Sequence, residues 1–328
     1  MEGRGTVARV PNKTFYNANE QVQLTAIPES GWSFSHWSGD YSGSDNPTTI
    51  IMNANKTITA HFAIFLEDID SGHPSPTGNY RWLDVANQQY SSAYRNSYNY
   101  TQATVKVTYN TEGTTLTGTF QAVNLKPNFA YQVKLVGISG TATNENIGLA
   151  GRWWQEEWDG NGWTNGQNLN DKGTGSSPNP NDLVYYSRRD ITDSTSPTGL
   201  HYKFTGYLVF EYFITDEQGN ATISFATGSC YHVLWKTTQR SHTGDDGPIQ
   251  TTTFTATTSS PAYDTNYPEQ TIDIFGEWER LPIGGVPLAP GDYTAQLILT
   301  EESFHGDGGQ YAGNWAAAMG ATIQFNNE

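Results

Sequence analysis

Polar and apolar positions alternate with a period of two along much of this chain, and stretches with a helical period are nearly absent. The run from Thr104 to Tyr109 (TVKVTY) alternates cleanly, as do Tyr131 to Val136 (YQVKLV) and Tyr293 to Thr300 (YTAQLILT). In a strand such residues share one face, so each segment covers a core on one side only. Turn formers separate them, at Asn110–Gly113, Asp216–Asn220 and Ala289–Asp292. Many short strands with turns at this spacing predict an all-β protein with face-to-face sheets. No βαβ rhythm is present, so a Rossmann-type cofactor site has no scaffold here.

A first boundary falls near residue 65. Upstream of it the chain carries, in order, Gly5-Thr-Val, Pro11, Tyr16, Val22-x-Leu24-Thr-Ala, Pro28, Gly31-x-x-Phe34, Trp37-Ser-Gly-Asp40, Asn46-Pro47, Met52 and Thr57-Ile-Thr-Ala-x-Phe62. This interleaved pattern over residues 3–63 resembles the InlB B-repeat-like bacterial surface repeat. The resemblance implies a small β-rich module over residues 1–65, usually one of a tandem series on secreted or surface-anchored proteins. It implies no catalytic residue. Trp37 ahead of Ser-Gly-Asp reads as a buried ring before a turn rather than as a ligand contact.

Residues 66–328 form the larger part, read as an Ig/fibronectin-like β-sandwich. Leu125-Lys-Pro-Asn-Phe-Ala-Tyr131 has the spacing of a tyrosine corner, in which a phenol hydroxyl bonds back to upstream backbone. Leu288-Ala-Pro-Gly-Asp-Tyr293 is a shorter echo of it. Two corners fit two sandwiches or one elaborate sandwich. Residues 156–200 read as a long aromatic-rich loop insertion, which favours the single sandwich. An ordered loop of that length is usually functional.

Composition narrows the function. Acidic residues number 33 against 17 basic ones, a net charge of −16, which repels phosphate backbones and removes nucleic acid as a partner. The excess belongs to the larger part, because residues 1–65 hold only five of the acids and four of the bases. No apolar run reaches the roughly 18 residues of a membrane span. A single cysteine, Cys230, excludes an intrachain disulfide. The start, MEGRGTVARV, lacks an export signal, while abundant Asn, Thr, Ser, Gly and Tyr suit the cell exterior, as in a piece of a longer precursor.

Three constellations carry candidate chemistry. Asp159, Asn161, Asn165, Asn170, Asp171 and Asp182 lie in a Gly-punctuated stretch able to offer oxygen ligands to calcium, the one cofactor considered. Ordinary Asx-turns explain them equally well. Trp153, Trp154, Trp158 and Trp163 could stack on sugar rings or plug the mouth of the sandwich, and with ten tryptophans and 19 tyrosines both uses are open. Cys230 and His232 leave one face of a strand, and His305 and Met319 would complete a copper-like set as in a cupredoxin. Cys230 reads better as a buried small hydrophobe. Adjacent acids such as Glu156-Glu157, Asp245-Asp246 and Glu301-Glu302 point to opposite strand faces and form no catalytic pair alone. The expectation is a non-catalytic surface protein that binds a glycan or protein ligand, with a glycan-active module and a metal-binding sandwich as alternatives.

Overall fold

The computed structural model describes residues 2–70, 80–164, 166–169, 180–228, 231–236, 248–278, 287–302 and 316–328. The N-terminal part contains β1 (Gly5–Val10), β2 (Gln21–Pro28), β3 (Ser33–Gly39), β4 (Thr48–Ile51) and β5 (Ile58–Asp68). β2 lies between β1 and β4 in one antiparallel sheet, and β3 pairs with β5. The period of two sets the core. Val22, Leu24 and Ala26 turn inward from β2 to meet Trp37, Ile50, Ala60 and Phe62, while Gln21 and Gln23 face water. Trp37 is buried and its Nε1 donates to the Asp45 carbonyl at 2.9 Å. Gly39, at φ +94°, turns the chain directly after it. This tryptophan is core.

The larger part begins with helix α1 (Ser92–Ser97), β6 (Thr104–Tyr109), β7 (Glu112–Gly113), β8 (Thr117–Val123) and β9 (Ala130–Val136). Then come α2 (Ala142–Ala150), β10 (Arg152–Glu157), β11 (Gln167–Asn168), α3 (Pro180–Arg188), β12 (Tyr202–Ile214) and β13 (Ala221–Ala226). The chain continues with β14 (Tyr231–Lys236), β15 (Pro248–Ala256), β16 (Tyr267–Trp278), β17 (Gly291–Glu301) and β18 (Ala316–Asn327). One hydrogen-bonded path runs β11-β10-β12-β9-β17-β18-β5-β6-β8-β13. It folds over at the β18–β5 step, where only Met319–Asp68 and Gly320–Glu67 pair. The two arms share one buried cluster: Val105, Val107, Phe120 and Phe225 from one, Val133, Leu135, Leu297 and Leu299 from the other. A separate sheet, β14-β16-β15, is anchored by Ile272 and Ile274 against Val85, Ala86 and Ala130. The protein is all-β, with a small module followed by a sandwich-like body.

β5 runs straight through the boundary near residue 65. Its first residues pair with β3, Ile64–Leu66 pair with β6, and Glu67 and Asp68 pair with β18. The stretch 156–200, read as an ordered loop insertion, is not loop throughout, since it holds the end of β10, β11 and α3. Helices are also more frequent than the pattern implies. α2 has no apolar stripe; the Thr141 side chain caps it, accepting from the Asn144 N–H at 3.1 Å. Packing then holds it. A β-carbon at Gly148 would lie 2.3 Å from the Trp153 ring, and one at Gly206 would lie 2.4 Å from the Gly148 nitrogen.

Both tyrosine corners form. The Tyr293 hydroxyl donates to the Ala289 carbonyl at 2.7 Å, and the Tyr131 hydroxyl accepts from the Lys126 N–H at 3.1 Å. Lys126, inside that corner, is fully buried beside Glu301, which is equally enclosed. Glu301 accepts from Arg81 at 2.5 and 2.7 Å, from Lys126 Nζ at 2.7 Å and from the Tyr100 hydroxyl at 2.6 Å. Arg81 also pairs with Asp70 at 2.6 Å. Lys126 Nζ lies 4.4 Å from the Trp82 ring centroid. Burial pulls the Lys126 ammonium down to about 8 against the attraction of Glu301. Burial pushes the Glu301 carboxyl up, but Lys126 and Arg81 outweigh it and hold it below the usual carboxylate range. Glu301→Gln would leave two buried cations facing a neutral amide. A loss of about 3–5 kcal/mol is expected in urea denaturation, and an unchanged midpoint would show that the cluster does not hold the fold.

Candidate functional site

The aromatic insertion packs against one end of the sandwich. Trp153, on β10, has no exposed surface. Its ring stacks on Tyr185 of α3 at 3.8 Å and 10°, meets Phe204 edge-on at 6.1 Å, and its Nε1 donates to the Asp182 carboxylate at 3.1 Å. With both faces enclosed, Trp153 cannot be part of a sugar platform. Trp154 is half-buried against the main core. Trp158 is 9% exposed, and its Nε1 donates to Thr195 Oγ1 at 3.0 Å. Trp163 pairs with Trp158 across a β-bridge, their rings 5.5 Å apart, and remains half-exposed. These tryptophans mostly secure the insertion.

Of the calcium set, the described acids Asp159 and Asp182 turn to different partners. Asp159 accepts from the N–H groups of Asn161 and Gly162, both at 2.8 Å. Those bonds hold its carboxyl below the ordinary value. This is an Asx-turn closing the tight link between Trp158 and Trp163. Asp182 is buried and turned to the Trp153 indole. The two acids therefore serve different partners. Asn165, Asn170 and Asp171 lie outside the described residues. Among the described residues, no group of three His, Cys, Asp or Glu side chains is placed to hold a metal ion. Cys230 and His305 also lie outside them, and His232 is described only as backbone, paired with Glu277 in the β14–β16 ladder. Met319 is core, buried in β18.

The insertion does build a cleft. About 540 Å³ opens between the start of α2, the end of α3 and the chain entering β12, lined by Thr141, Glu145, Tyr185, Arg189, Tyr202 and Lys203. Arg189 bridges the two helices through Glu145 at 2.8 Å and lies 5.4 Å from the Tyr185 ring and 5.0 Å from Tyr186. Lys203 pairs with Glu156 at 2.5 Å and sits 5.4 Å from the Trp163 ring. Arg188 lies 5.2 Å from Tyr202. Two cations, Arg189 and Lys203, and the rings of Tyr185, Tyr202 and Phe204 thus line the cleft, and each cation–ring pair is worth about 0.5–1 kcal/mol where exposed. Pro180 at the first position of α3, Asp182 in its first turn and Arg188 in its last are helix signals that the strand-dominated pattern masked.

A family profile described as the divergent InlB B-repeat domain matches residues 1–64. The resemblance read from residues 3–63 holds, and the N-terminal module is similar to bacterial surface repeats. No curated protein and no solved structure matches the chain. The match ends inside β5, so the residues of the cleft inherit no role from it.

Beside the cleft, His201 clamps the insertion. Its Nδ1 lies 3.1 Å from the Asp193 carboxylate and its Nε2 lies 2.9 Å from Glu157 at the end of β10. Hydrogen bonds to Asp193 and then Glu157 raise the His201 pKa. Asp193 is held down to about 2, first by Thr195 and then by His201. Residues 157, 193 and 201 carry no local motif, and only folding joins them. Because the folded protein favours protonated His201, the clamp is at full strength below about pH 6.5. It weakens as pH rises through the raised value. Hydrogen exchange of residues 189–201 should therefore quicken, beyond the intrinsic rate, as the pH rises from about 6.5 through the raised value. His201→Gln should abolish that excess, and an identical pH profile in the variant would dismiss the clamp.

Proposed function

We propose that this chain is a non-catalytic binding protein of the bacterial cell exterior. The cleft between α2 and α3 is its recognition site, and a glycan is the ligand class. The observation that carries the reading is the ring-and-cation lining of the cleft. Aromatic edges and faces suit the apolar side of a sugar, while Arg189, Lys203, Glu145 and Thr141 supply donors and acceptors for hydroxyls. The surface-repeat module at the N-terminus supports display outside the cell. β5 supports a role for the module as a mount, because one continuous strand joins it to the body that carries the cleft.

A binding role fits the acids better than a hydrolytic one. Glu301 and Glu302 are fully buried, the first paired with Arg81 and Lys126 and the second with Lys134 at 3.4 Å. Such carboxylates serve the fold. A glycan array probed with the full chain should give a defined set of positives. Arg189→Ala and Tyr202→Ala, checked for unchanged melting, should each weaken binding by about tenfold, the loss of one or two good contacts. An empty array would remove the glycan and leave protein as the ligand class, and turnover of a bound glycan would overturn the non-catalytic reading.

A further inference from the structure

β13 ends the hydrogen-bonded path of the sandwich, and among the described residues no strand pairs with its outer edge. Open edges invite pairing with other chains, and proteins blunt them with charge, proline or a bulge. The strand Ala-Thr-Ile-Ser-Phe-Ala has none of these. It carries no charge and no proline, and its register with β8 is unbroken from Ala221 to Ala226. Across the mouth of the sandwich β12 is treated differently. Its register with β9 shifts between Val209 and Glu211, and the Glu211 carboxylate accepts from the Tyr212 N–H at 2.9 Å. A bulge and an acid thus guard that side. β15 bounds the third side, where the Tyr212 hydroxyl donates to Gln250 Oε1 at 2.7 Å. Between them lies a groove of about 480 Å³, and among the described residues its charged lining side chains, Glu211 and Asp216, are both acidic.

We propose that this groove accepts an extended strand from a partner protein, added to the open edge of β13. The strand is apolar at alternate positions and basic at its ends, toward the acidic lining of the groove. An edge supplies main-chain bonds, and pockets for alternate side chains supply specificity. Ile223 and Phe254, both half-buried, form the apolar part of the groove, Ser224 lines it at an exposed position, and Thr222 faces water. The acidic lining selects a basic partner. A second copy of this chain is the poorer occupant, because with a net charge of −16 it would bring further acids to an acidic groove.

The test titrates the full chain with a fluorescein-labelled peptide, Lys-Thr-Val-Thr-Ile-Thr-Val-Lys. Two controls are the same peptide N-methylated at alternate backbone nitrogens and the same peptide with glutamate for both lysines. The lysine peptide should bind, and each control should bind at least about tenfold more weakly. Ser224→Lys, at an exposed position, should weaken binding of the lysine peptide by a similar factor with melting unchanged. Thr222→Lys serves if the first variant melts early. No binding of the lysine peptide, or equal binding by the N-methylated peptide or by the lysine variants, would overturn the proposal. Sedimentation showing dimers that Ser224→Lys abolishes would overturn the assignment to a different protein.

Discussion

Glu301 sits where the chain has the least freedom to err. Its carboxylate is removed from water and answered by Arg81, Lys126 and the Tyr100 hydroxyl, while Asp70 pairs with Arg81 and so sets two carboxylates against two cations. These groups come from the end of β17, the segment after β5, the turn before β6 and the tyrosine corner before β9. A cluster of this kind adds modest net stability against an apolar equivalent, yet removing one member leaves a buried charge unanswered. It therefore penalises every arrangement in which one of those four segments is out of place. Tyr131 ties the corner to the same point, its hydroxyl lying 3.1 Å from that of Tyr100.

The module is joined to this frame by β5 rather than hung from it. Further contacts brace the joint: the Trp32 ring lies 4.9 Å from Tyr109, and Lys106 Nζ donates to Ser35 at 3.3 Å. A strand shared by two sheets transmits orientation, because its side chains must alternate in step with both sets of partners. The cleft at the α2–α3 end and the groove at the β12–β13 mouth are consequently carried by the same rigid frame. They differ in what they offer. The cleft presents rings and charges, and the groove presents backbone.

Much of the frame was legible before folding. The runs at 104–109, 131–136 and 293–300 lie within β6, β9 and β17, and both tyrosine corners could be read from the distance between turn and phenol. Each of these is a local property, decided by alternation and by turn chemistry. The sites were less legible. Four tryptophans between 153 and 163 left a sugar platform and a plug equally open, and Trp153 became the pivot on which α2 and α3 meet. Asp159 read equally as a ligand and as an Asx-turn, and it closes a turn.

The strands, the surface-repeat module and the acidic character could all be read from residue order, because periodicity, motif spacing and charge survive without knowledge of neighbours. Folding set which rings face water, which acids are neutralised and, among the described residues, which strand edge no other strand pairs with. Those outcomes depend on partners far apart in the chain, as Arg81 is from Glu301 and Glu157 from His201. A side chain carries no record of its exposure until another element has been laid across it.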